Sequence, residues 1–273
     1  MSVPLYCIDR DAVLKDVSTD IKWRNGIPNY TKANSLFDKF KSTDHQPGSL
    51  ECIVQNIVKN WEKEVSHKID PRQWTTVDID NYRFSCNGQQ KYSGWEMVKQ
   101  GTYNALIGQT NYYDSNAISF EDSHIAFKRS LGEGFAWEVL EVYSGPPTVT
   151  FTWKHFGRMT DYFSCPGLSG FVYKADPTNK MVKIYGMCKA TVNENFQIQD
   201  LQVFYDPSQL FTQLTEICPF APFMKLPNDN LTKNKGVEKE QNNILPFSNN
   251  KNLKKEDYVN KSTNPQSKMC IIC

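Results

Sequence analysis

The chain has 273 residues, 39% hydrophobic and 13% aromatic, with 31 Lys and Arg against 30 Asp and Glu for a formal net charge of +1. That length holds one domain of about 150–220 residues with tails, and the even charge balance gives no electrostatic case for nucleic acid as a partner. No segment approaches the roughly 18 apolar residues of a membrane span, and the N-terminus lacks the basic start and apolar run of a secretory signal, so a cytoplasmic location is expected.

Residues 1–48 read as an N-terminal arm wrapping the domain. Residues 1–20 carry little pattern and are expected to be loose. Lys22–Tyr30 (KWRNGIPNY) is turn-rich, punctuated by Asn25-Gly26 and Pro28, with Trp23 and Tyr30 as candidate staples. A helix starts after Ser49, whose hydroxyl can accept from an early backbone N–H. Leu50, Ile53, Val54, Ile57, Val58, Trp61 and Val65 make its apolar stripe, with Lys59, Glu62 and Lys63 mostly outside it. Asp70-Pro71 ends it, because a residue before proline avoids the α region. Tyr82–Cys86 reads as a short strand. Ser93 and Glu96 have capping-box spacing for a second helix running to about Ile107, where Gly108 stops it. A weaker helical stretch covers Phe120–Leu131.

From Gly134 the period changes to two. Phe135, Trp137, Val139, Glu141 and Tyr143 alternate with Ala136, Glu138, Leu140 and Val142. After the Ser144–Pro147 turn, Val149, Phe151, Trp153 and His155 alternate with Thr148, Thr150, Thr152 and Lys154. Met181–Val192 and Phe196–Tyr205 are two further strands. Helices followed by long antiparallel strands predict an α+β fold, helices packed on one face of a strongly curved sheet. The domain spans 49–226. Residues 227–273, rich in Asn, Lys, Gln, Ser and Thr, are expected to be a disordered tail.

Several segments resemble the pathogen-related protein family of plants: KWRNGIPNY, WEKEVSHK (Trp61–Lys68), YNAL (Tyr103–Leu106), GFAWEVLEVYSGPP (Gly134–Pro147), FTWKHFG (Phe151–Gly157), YGMC (Tyr185–Cys188) and FYDPSQLFTQL (Phe204–Leu214). The resemblance covers roughly residues 22–214, and Glu-Val-Tyr-Ser-Gly-Pro-Pro is its most specific part. It implies a SnoaL-like, nuclear transport factor 2-like cone, with helices closing over a curved sheet around an apolar cavity. Relatives of this kind cyclise or isomerise polyketide-like or terpenoid molecules, bind ligands, or dimerise. The fold therefore sets an architecture and not a reaction.

Within that architecture His155 extends the inward series Val149, Phe151, Trp153, and a histidine there suits proton transfer near neutrality. Glu141 shares the aromatic face of its strand and is the expected buried acid/base carboxylate, with Glu138 solvated on the other face and Asp200 a weaker candidate. Trp137, Phe151, Trp153, Tyr103, Tyr185 and Tyr205 are candidate lining of the pocket. His67 reads as a cation at a helix C-terminus. The first six of the 8 cysteines are scattered and only four histidines accompany them, so neither a metal site nor a cofactor is expected. The ending Cys270-Ile271-Ile272-Cys273 has the pattern of prenylation on Cys270, with upstream lysines to assist a membrane contact. The reading that emerges is a module binding a small apolar molecule, tethered through its lipidated tail. A cofactor-free cyclase or isomerase and a homodimeric interaction module without a ligand are the alternatives.

Overall fold

The computed structural model describes residues 3–16, 20–168 and 170–216. The expected tail 227–273 and its Cys270 lie outside these. In chain order the elements are α1 (Leu5–Ile8), α2 (Thr31–Phe40), α3 (Leu50–His67), β1 (Arg83–Cys86), α4 (Gly94–Gln100), α5 (Thr102–Ile107), β2 (Gln109–Thr110), β3 (Tyr113–Asp114), α6 (Phe120–Ser130), β4 (Phe135–Ser144), β5 (Thr148–Arg158), β6 (Phe163–Pro166), β7 (Val172–Ala175), β8 (Met181–Val192), β9 (Ile198–Tyr205) and α7 (Ser208–Thr215). The class is α+β. The main sheet has the order β1-β9-β8-β5-β4, and β2-β3 and β6-β7 form two small ribbons. The sheet is not wholly antiparallel, because β1 runs parallel to β9, pairing Arg83 with Asp200 and Cys86 with Val203.

Helix α3 organises the molecule. Ser49 Oγ caps it by accepting from Cys52 N at 3.2 Å. Its apolar side, Val54, Ile57, Trp61 and Val65, is buried in one core with Phe84, Val139, Phe151, Trp153, Ile184, Leu201 and Val203 of the sheet. Trp61 donates its indole N–H to Tyr82 Oη at 3.0 Å. The opposite side is not left to water. Asn60 Nδ2 donates to the carbonyls of Tyr6 (3.1 Å) and Asp9 (2.8 Å) and its Oδ1 accepts from Val13 N. Asn56 donates to Cys7 O and Lys63 to Arg10 O. Residues 5–14 are therefore a docked segment and not a loose one. Buried backbone carbonyls of the arm require donors, and the asparagines of α3 supply them.

The second predicted helix is two short ones, α4 and α5, broken at Gly101 with φ 84°; a Cβ there would stand 2.7 Å from the Phe120 ring. On the sheet face away from α3, Phe37 and Leu36 of α2 cover Ala136 and Phe156. Farther along this face Tyr143, Tyr185, Met187 and Phe204 are exposed.

Candidate functional site

The predicted acid/base pair is not assembled. In β4 the register slips between Val139, which faces Trp153, and Glu141, which faces Thr152. Leu140 is the extra residue of a bulge, and a bulge inverts the face of every residue after it in the strand. Glu141 thus lies exposed on the Thr152 face, and Val142 takes the inner position opposite Phe151. Asp200 also points away from the core, alternating with buried Leu201, and its carboxylate holds Lys91 Nζ at 3.1 Å and Gln202 Nε2 at 2.5 Å. The buried glutamate of β4 is Glu138. It lies under the chain after α2, accepting from Ser42 N (2.6 Å), Thr43 N (2.7 Å) and Thr43 Oγ1 (2.8 Å), with Lys154 Nζ at 2.5 Å. All its oxygen positions are committed, and the contacts hold its carboxyl below the usual range despite burial.

His155 does sit on the inner face, opposite Trp137. Burial depresses its pKa to about 3, so it is a neutral imidazole at physiological pH and not a group poised near neutrality. It stacks on Phe135 with centroids 3.5 Å apart, and its Nε2 lies 3.1 Å from Phe135 O. A carbonyl can only accept, so Nε2 carries the proton and Nδ1 keeps a lone pair. Trp137, Phe151 and Trp153 are buried on this inner face. Tyr205 is part-buried, packs 5.7 Å from Trp153 and donates to Leu106 O. Tyr185 is 48% exposed on the opposite face, paired across from Lys154, and cannot line an interior pocket.

What the fold does gather is a polar seam along α3, formed with the arm, α5, α6, the start of β4 and the end of β5. Tyr30 Oη lies 3.2 Å from His67 Nε2 and 3.3 Å from Glu62 Oε1. The His67 ring meets the His124 ring at 5.2 Å, and His124 meets Tyr103 at 5.6 Å. Tyr103 stacks on Phe127 at 4.3 Å. Tyr30, Glu62, His67, Tyr103, His124, Phe135 and His155 are all part-accessible side chains. Lys59, one turn before Glu62, is buried with Nζ 4.2 Å from the Phe37 ring centre.

Every titratable group of the seam is pushed toward its uncharged form, and in each the first cause is loss of solvation. His67 falls to about 3 and His124 to about 4. Lys59 falls to about 7. Glu62 rises, opposed by the charges of Lys63 and Lys59. Tyr30 and Tyr103 are raised as well. His67 is therefore not the helix-terminal cation expected from its position. Among the described residues four buried polar atoms stand outside the hydrogen bonds of the fold, Asp11 Oδ1, Arg24 Nε, His124 Nδ1 and Trp153 Nε1, and of these Trp153 has the Cys188 thiol beside it. Among the described residues no group of three His, Cys, Asp or Glu is placed to hold a metal ion. Two concavities lie elsewhere, one of about 600 Å³ between α6 and the β6–β7 ribbon and one of about 290 Å³ beside the arm at Tyr6, Val13 and Lys68.

Lys59, Glu62, Tyr30 and His124 were not singled out as site residues from sequence. The available signal was the set of charged residues interrupting the α3 stripe, which reads as a solvated face until the arm is known to cover it.

No family model matches the chain. A curated pathogen-related protein of Hordeum vulgare is 33% identical over 192 residues, covering 67% of this chain and 78% of its own. Among solved structures, one described as a SnoaL-like polyketide cyclase from Jannaschia sp. CCS1 is 16% identical, covers 65% of this chain and 100% of its own, and superposes with a TM-score of 0.33. Another, with a ketosteroid isomerase-like fold, from Catenulispora acidiphila, is 10% identical over 60% of this chain and 94% of its own, with a TM-score of 0.32.

Proposed function

Since the chain belongs to the pathogen-related protein family, whose name specifies no reaction, we propose that it binds a small uncharged molecule, largely apolar with one or two hydrogen-bonding groups, along the α3 seam. The observation that carries this reading is the shared direction of the pKa shifts at Lys59, Glu62, His67, His124 and His155. Surroundings that disfavour charge on their own side chains disfavour it equally on a ligand. Neutral imidazoles and a phenol offer both donors and acceptors to a carbonyl or hydroxyl. The unpartnered Nδ1 of His124 is a further group that gains from a polar partner.

Native mass spectrometry of the full chain purified gently from its own cells tests the reading. A retained small molecule, reduced in His124→Phe, is expected. A chain that is empty in every preparation, and whose Trp153 fluorescence is unmoved by amphipathic alcohols, is incompatible with it.

A second reading has one observation in its favour. The raised carboxyl of Glu62 beside Tyr30 Oη is an acid/base arrangement for cofactor-free isomerisation or cyclisation. Glu62→Gln that still retains the ligand but no longer converts it identifies an enzyme. Equal conversion by both forms removes Glu62 from the chemistry.

A further inference from the structure

Four lysines of the described residues are buried: Lys59, Lys63, Lys68 and Lys154. Three are fixed by anions or carbonyls. Lys63 Nζ donates to Arg10 O at 2.6 Å and lies 3.2 Å from Asp11. Lys68 Nζ binds Glu64 at 2.9 Å and Gln73 O at 2.9 Å. Lys154 Nζ binds Glu138 at 2.5 Å and Ser42 Oγ at 2.8 Å. Lys59 has no carboxylate within ion-pair distance and no hydrogen-bond acceptor among the described residues; its contact is the face of Phe37. The residue is 6% exposed and its Nζ is not among the fully enclosed polar atoms, so the amine sits at the rim of the seam, largely out of water and without a counter-ion, which is costly for an ammonium. A lone ring face offsets only about 1–2 kcal/mol of that.

We infer that Lys59 is a covalent anchor of the seam, its Nζ condensing with the carbonyl carbon of an aldehyde- or ketone-bearing ligand. The inference rests on the binding reading above and names the ligand's reactive group. A desolvated lysine in an apolar setting is an activated amine nucleophile. Burial brings its pKa down to about 7; Lys63 on its own helix and Arg10 on the arm push the same way, Glu62 and Asp11 push against, and the neutral His155 imidazole faces it from the sheet. The free amine is then far more populated at neutral pH than on an ordinary surface lysine, where it is roughly one in 10³. The step balances without an oxidant or reductant. The amine lone pair forms the C–N bond, the carbonyl oxygen becomes a hydroxyl, and two amine protons leave with that oxygen as water. Glu62, one turn along α3 and the carboxyl whose charge acts most on Lys59, relays the proton from nitrogen to the departing hydroxyl.

The test uses the full chain, octanal as the carbonyl probe and 1-octanol as its counterpart. Octanal is added near pH 7 with cyanoborohydride, which reduces an imine to a stable amine, and labelled peptides are mapped by mass. The expected result is an adduct on Lys59 at least about tenfold above the mean for exposed lysines, on the difference in free amine given above. Lys59→Arg, checked for an unchanged near-ultraviolet circular dichroism spectrum, lowers total labelling to the surface background. Glu62→Gln slows labelling of Lys59 several-fold. If 1-octanol binds the wild-type chain but octanal labels surface lysines and leaves Lys59 bare, the covalent inference is overturned and the binding reading stands. If neither probe binds and Lys59 stays unlabelled, both fall.

Discussion

An unfolded chain holds Lys59 as an ammonium up to about pH 10.5, whereas burial lowers the folded value to about 7. Between those two values the unfolded state binds more protons, so this residue makes stability rise with pH across that window, and its cost is fully present below pH 7. Lys59→Met removes the cost. It is expected to stabilise the protein by about 1–2 kcal/mol at pH 6, with the advantage shrinking as pH climbs toward 10.5. Urea unfolding at a series of pH values measures it, and a destabilised Met variant contradicts the assignment. His67, His124 and His155 run the same logic at lower pH. Their folded values near 3–4 lie below the reference 6.5, so each contributes stability that is complete above 6.5 and lost as pH falls toward 3. A melting temperature that drops steeply between about pH 6 and pH 4 is expected, less steeply in His67→Phe than in the parent.

At the scale of elements, two devices hold β4 and β8. Glu138 and Lys154 face each other across β4 and β5 under the Ser42–Thr43 backbone, with Glu138 fully buried and Lys154 5% exposed. Glu138→Ala leaves the Lys154 ammonium buried and alone, an expected loss of about 3–5 kcal/mol, readable as a shift in the urea midpoint. The other device is α7. β9 pairs with β8 only from Gly186 onward, so the N–H groups of Lys183 and Tyr185 face no strand. Gln213 accepts from Lys183 N at 2.9 Å and donates to Lys183 O at 2.7 Å, and Gln209 accepts from Tyr185 N at 3.1 Å. Glutamines one turn apart on a helix thus imitate the missing strand. Gln209→Ala with Gln213→Ala is expected to cost about 1 kcal/mol per lost bond and to raise light scattering with concentration, since an open edge invites pairing.

For the whole molecule, the α+β class and the family were legible because both rest on long signals. Ser49 begins α3 as its capping chemistry dictates, and the strand Met181–Val192 has the bounds its alternation implies. Helix α2 was missed because no side-chain cap marks its start, although Ala33, Leu36, Phe37 and Phe40 stand at helical spacing. The candidate site was misread for two reasons. A bulge at Leu140 leaves no mark in an alternating sequence, yet it moves Glu141 to water, while Glu138 keeps its outer face and is buried by the Ser42–Thr43 chain laid over it. Lys59, Glu62 and Lys63 look solvated on a helical wheel, and only the docking of earlier parts of the chain encloses them, Phe37 over Lys59, Tyr30 on Glu62 and Arg10 on Lys63.

The parallel pairing of β1 with β9 has a consequence for how the protein is made. β1 is the first strand of the main sheet to leave the ribosome and β9 the last, so the edge position of β1 stays vacant until synthesis reaches Tyr205. At about 5–20 residues per second the interval lasts several seconds. Throughout it Phe84, fully buried in the finished protein, has no β9 Leu201 beside it. Nascent chains stalled before Ile198 are expected to be cut by protease near residues 82–86, and chains extended well past α7 to resist. Timing of translation through the second half of the message thereby becomes a determinant of yield.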